Sequence, residues 1–119
     1  MKIKYASKKV EQQCTSLKAA TLLFGGDKKL AESLQSRINA IESAEDLKDI
    51  ISFPPFHFHN LQGKQEGLFA IDVKSRRDKW RLILQPLDDK EKPFVPCRID
   101  EIAAVVRIVE IREVSAHYE

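Results

Sequence analysis

The apolar residues change their spacing once along this chain, and that single change limits what it can fold into. Val10, Cys14, Leu17, Thr21 and Phe24 recur at helical spacing, as do Leu30, Leu34, Ile38 and Ile41. From Gly67 onward the period shortens to two. Phe69, Ile71 and Val73 alternate with Leu68, Ala70 and Asp72, and Trp80-Arg81-Leu82-Ile83-Leu84 follows as a second strand. A helical half followed by a strand half segregates the two element types, which is the pattern of an α+β domain.

The punctuation between these runs fits that reading. Ser7 can cap a first helix and Gly25-Gly26 can end it, since glycine tolerates the left-handed conformation after a helix C-terminus. Asp27 can cap a second helix, making an N-terminal helical hairpin. Ser43-Ala44-Glu45-Asp46 resembles a capping box for a short third helix through Ile50, which Pro54-Pro55 stops. Ile3 and Tyr5 alternate with lysines in a short N-terminal strand. Pro86 to Asp100 reads as a long exposed loop, and Ile102 to Val114 as the strongest strand. Strands joined by short connections predict an antiparallel sheet with the hairpin packed on one face. At 119 residues the chain makes one domain, spanning 1–119.

Several function classes fall away early. No apolar run approaches the length of a membrane span, and the N-terminus has no apolar secretion core, so a cytoplasmic protein is expected. Cys14 and Cys97 have no metal-type spacing, and Cys14 lies on a helical apolar stripe as a buried thiol. No carboxylates cluster with His or Cys, so neither metal nor cofactor is expected. Charge is unevenly placed. Lys2 to Lys29 carries seven lysines against Glu11 and Asp27, and Lys64 to Arg81 carries six cations against Glu66, Asp72 and Asp78. These stretches suit a polyanion, or are the solvated faces of ordinary elements.

The residues able to move protons are few. In "FPPFHFHNLQGK", His57 sits between Phe56 and Phe58 and reads as part of an aromatic core, whereas His59 leads toward a strand. His117 follows the last strand. Arg81 alternates with Trp80, so its side chain leaves the opposite side of its strand. His59, Arg81 and His117 around one cleft would suffice for metal-independent RNA cleavage. One imidazole takes the 2′-hydroxyl proton, another protonates the departing 5′-oxygen, and the guanidinium stabilises the phosphorane.

"FHNLQGKQEGLFAIDVKSRRDKWRLIL" and the closing "IVEIREVSAHY" resemble the HigB-type toxins of bacterial type II toxin–antitoxin systems, in the RelE/ParE superfamily. The likeness runs from about Leu47 to Tyr118. It implies a RelE-like fold and a ribosome-dependent mRNA endoribonuclease that inhibits translation. It further implies neutralisation by a HigA-like helix-turn-helix antitoxin within a hetero-oligomer. By position, His59 and His117 would be catalytic and Arg81 would contact phosphate. Lys64, Lys74, Arg76, Arg77, Lys79 and Tyr118 would bind RNA, and Lys8, Lys9 and Lys18 would extend that surface toward ribosomal RNA. Two departures stand out. Gln62 replaces a lysine common in such toxins, with Lys64 nearby. The chain closes Ser115-Ala116-His117-Tyr118 where relatives often have Asp-Tyr-His. The alternative within the superfamily is a ParE-like inhibitor of DNA gyrase, which shares the fold without a cleaving site.

Overall fold

The computed structural model describes residues 1–61 and 67–116 of the α+β domain. The described residues form β1 (Lys2–Tyr5), α1 (Lys8–Thr15), α2 (Leu17–Leu23), α3 (Lys28–Ser43), α4 (Leu47–Ile51) and β2 (His59–Asn60). They continue through β3 (Phe69–Asp72), β4 (Arg81–Leu87), α5 (Ile99–Ile102) and β5 (Ile108–Ser115). None of the described helices is long and apolar enough to cross a membrane.

The helical hairpin is present, but its first arm is two helices. Ser16 adopts an extended conformation (φ −120°, ψ 118°), and its hydroxyl accepts from the Ala19 N–H at 3.2 Å. Ser7 does the same for Val10 at 3.2 Å. A serine inside a helical run offers the backbone an alternative partner, and here that partner restarts the helix. Gly25 and Gly26 make the following turn at φ +66° and +95°. Asp27 Oδ1 then caps α3 through the Leu30 N–H at 3.1 Å. The next cap is Asp46 rather than Ser43. Its Oδ1 accepts from the Lys48 N–H at 2.9 Å, while Asp49 reaches back to the Glu45 N–H at 2.9 Å.

The sheet order is β1-β5-β4-β3-β2. β2 through β5 pair antiparallel as expected, but β1 pairs parallel with β5, so the sheet is mixed. A parallel pair needs a long crossover rather than a tight turn, and here the rest of the chain intervenes between the two strands. The helices carry the chain from the β1 edge to the opposite edge at β2.

The aliphatic run from Ile102 does not begin as a strand. Ile99, Ile102, Ala103 and Val106 stand at helical spacing, and residues 99–105 are helical, with Ile99, Ile102 and Val106 packed in or against the core and Ala103 buried. The expected exposed loop also starts later, because β4 continues through buried Pro86 and Leu87. β3 begins at Phe69, opposite Leu84, leaving Pro86 paired only with β5, a setting that tolerates proline. Lys2 and Lys4 hold Glu91 of the following turn at 2.8 and 2.7 Å, and they pull its carboxyl down to about 2.

Strand alternation sorts the sheet into two faces. Ile71, Val73, Leu82, Leu84, Val109, Ile111 and Val114 join Leu34, Ile38 and Ile41 of α3 in the main core. Cys14 is buried there, and burial pushes its thiol up to about 12. Ala70 and Ile83 point the other way and form a separate small cluster with Leu61. Leu34 is fully buried, so Leu34→Ala should destabilise the domain by about 2–5 kcal/mol. Urea unfolding checks this: the midpoint should fall with the slope unchanged.

Candidate active site

The second face of the sheet turns polar toward the β3–β4 turn. Register places Asp72 opposite Arg81 and His59 opposite Ala70, so the cluster is built from adjacent strands. Asp72 is 1% exposed. Its Oδ1 lies 3.2 Å from Arg81 Nε and 3.2 Å from His57 Nδ1. A buried carboxylate survives in a sheet only with such partners, and both are supplied by neighbouring segments.

His57 is not the core residue that its aromatic neighbours suggest. It is half-buried and stands in the left-handed region at φ +50°, directly after the 3₁₀ turn Pro54–Phe56. A non-glycine residue rarely sits there, and the conformation belongs to a segment whose imidazole meets Asp72. Phe56 takes the buried position instead. His59, two residues on, is also half-buried, and its Nδ1 donates to the His57 carbonyl at 2.8 Å. The two rings are 4.6 Å apart and tilted by 31°.

These bonds fix where the protons are. A carbonyl and a carboxylate only accept, so each imidazole carries its proton on Nδ1. Each neutral ring therefore keeps a lone pair on Nε2, the nitrogen a substrate would meet. Histidine with one nitrogen oriented by a carboxylate is a common way to hold a proton-transfer group.

Arg81 is placed differently from the expectation of a phosphate-contacting arginine. It is 6% exposed, and besides Asp72 it donates to the carbonyls of Asp78 (2.7 Å), Trp80 (2.9 Å) and Arg76 (3.4 Å). Those bonds hold the β3–β4 turn closed. Asp78 assists by accepting from the Ser75 and Trp80 N–H groups, both at 2.9 Å. The turn presents Lys74, Arg76, Arg77 and Lys79 to solvent. Trp80 is half-buried and packs edge-on against Phe24 at 4.9 Å.

Arg37 of α3 completes the cluster from the helix side and was not expected there. Its Nε donates to the Asp72 carbonyl at 2.9 Å, and Nη2 reaches the carbonyls of Lys74 (3.3 Å) and Pro55 (3.4 Å). Its guanidinium lies 4.7 Å from the Phe56 ring centre. Burial pushes its pKa below the ordinary range, against the pull of Asp72 and Asp78. A position flanking the Leu34–Ile38 stripe was the sole sequence signal for it.

Of the sequence-derived site residues, His59 and Arg81 lie in one cluster, linked through His57 and Asp72. His117, Tyr118 and Lys64 lie outside the described residues. β5 does reach the cluster, with Ser115 opposite Arg81. No family model matches the chain, and no curated protein matches it at a significant level.

Asp72→Asn should strand the Arg81 charge and cost about 3–5 kcal/mol. Adding Arg81→Met should recover part of that loss. Denaturant midpoints of the wild type and the two variants check both statements, and a loss that Arg81→Met only deepens would contradict them.

Proposed function

We propose that the protein is the toxin of a type II toxin–antitoxin pair and cleaves mRNA on the ribosome. The observation that carries this reading is the pair of half-exposed imidazoles, His57 and His59, each with Nδ1 engaged and Nε2 unbonded among the described residues. They stand beside a turn bearing four exposed cations. The resemblance of 47–118 to HigB-type toxins supports the same conclusion.

In this mechanism RNA supplies the nucleophile. One Nε2 takes the 2′-hydroxyl proton as that oxygen attacks phosphorus. A second, protonated imidazole gives its proton to the 5′-oxygen as the P–O bond breaks, leaving a 2′,3′-cyclic phosphate. Lys74, Arg76, Arg77 and Lys79 attract the backbone through charge rather than base edges. Arg81 and Asp72 are positioning residues, which hold the cationic turn and His57 in place. His117 enters the mechanism through the resemblance alone, as a third imidazole. A HigA-like helix-turn-helix antitoxin, encoded beside this chain, would silence it in a hetero-oligomer.

Primer extension on mRNA from an in vitro translation reaction tests the proposal. The wild-type protein should produce cuts with cyclic phosphate ends, and His59→Gln should slow cutting by about 10²–10⁴-fold. Intact mRNA in the presence of wild-type protein would overturn the nuclease reading. Growth arrest undiminished by His59→Gln, with relaxed or broken DNA, would point instead to a gyrase inhibitor.

A further inference from the structure

Around the corner from the histidines, the end of β5 borders a cavity of about 380 Å³. Val10 and Leu23 line it from the helices, and Trp80 and Val114 from the sheet. Lys9 and Arg112 also line it, so an apolar, aromatic hollow carries two cations. Its size falls at the lower end of the roughly 300–1,000 Å³ range of small-ligand sites.

The cavity lies on the helix-covered face of the sheet and meets the histidine cluster only at the strand ends. Ser115 lines it and stands opposite Arg81 in the sheet register. The Trp80 carbonyl accepts from Arg81 Nη1 at 2.9 Å. A flexible single strand with one end at the histidines and the other in this hollow would run along the strand ends from β2 to β5 and pass round them to the helix-covered face. Three strand spacings separate those strands, about 14 Å.

The lining matches the parts of a nucleotide. An indole beside aliphatic side chains accepts any base, because every base has a π-face. Lys9 is exposed on the first turn of α1. Arg112 is exposed on β5, with one nitrogen on Glu110 at 2.6 Å and no other side-chain partner among the described residues, so its other donors can meet a phosphate. Glu113 and Gln13 also line the hollow and offer acceptors to an exocyclic amine.

We propose that this cavity seats a nucleobase flanking the scissile bond of single-stranded RNA, with Trp80 as the stacking surface and Lys9 and Arg112 on its phosphates. The proposal rests on the RNA-cleaving reading. It adds a subsite separate from the proton-transfer groups.

Trp80 is the chain's one tryptophan, so intrinsic fluorescence reports on this cavity directly. The probe is a 2′-O-methylated hexaribonucleotide, which lacks the nucleophile and stays intact. It should quench wild-type fluorescence saturably. Lys9→Glu and Arg112→Glu should each weaken that binding about tenfold, in the range expected for loss of a charged contact. Lys9→Glu places an acid in the first turn of α1, which a helix N-terminus favours, so the fold is retained. mRNA cleavage by the wild type without saturable quenching would overturn the subsite alone. Quenching unchanged in both variants would overturn it as well. Absence of both quenching and cleavage would overturn the subsite and the nuclease reading together.

Discussion

A carboxylate with 1% of its surface exposed must be met by donors, and Asp72 is met from two sides of the sheet. Arg81 reaches it across the β3–β4 ladder, and His57 reaches it from the segment entering β2. Arg37 binds its backbone carbonyl from the helix layer. The residue therefore joins the strand pair, the histidine segment and α3 at one point. Removing one partner leaves an unmatched buried charge, which makes the arrangement cooperative rather than a sum of contacts.

That junction separates positioning from chemistry. Arg81 is held too deeply, and has too many carbonyl partners, to be the cation that greets a substrate. It shapes the turn from which Lys74, Arg76, Arg77 and Lys79 project. The imidazoles are the reverse case, half-exposed and bonded through one nitrogen each. In the proposed reaction, oriented imidazoles on the sheet and the lysines and arginines of the turn would divide the labour between proton transfer and charge neutralisation.

Much of the fold was legible because it depends on local rules. The Gly25-Gly26 turn, the Asp27 cap and the α3 stripe follow from spacing and capping chemistry. What escaped was set by competition between such rules or by distance. Ser16 is an ordinary polar residue on a helix surface until its hydroxyl competes for a backbone N–H. Ile99 to Val106 satisfies a helical period within an aliphatic run that also suits a strand. The parallel pairing of β1 with β5 is a long-range event without a local signature.

The site was legible in part for the same reason. His59 and Arg81 could be singled out by residue type, but their link could not, since it runs through Asp72 and His57. A lone acid among Phe69, Ile71 and Val73 was the clue to a buried junction. The aromatic neighbours of His57 pointed to burial, but its left-handed backbone sits in a segment where Phe56 goes inward and the ring meets Asp72. Arg37 had almost no signal, because a helix-surface arginine becomes structural only when a strand end arrives beneath it.

Protein groups engage Nδ1 of both His57 and His59, and no described residue bonds Nε2 of either ring. Long-range proton–nitrogen NMR on ¹⁵N-histidine protein at alkaline pH reads each tautomer directly. Assignment comes from His57→Gln and His59→Gln. The account predicts the Nδ1–H tautomer at both positions, with His57 losing that preference in Asp72→Asn. Protons on Nε2 of both rings in the wild-type protein would contradict it.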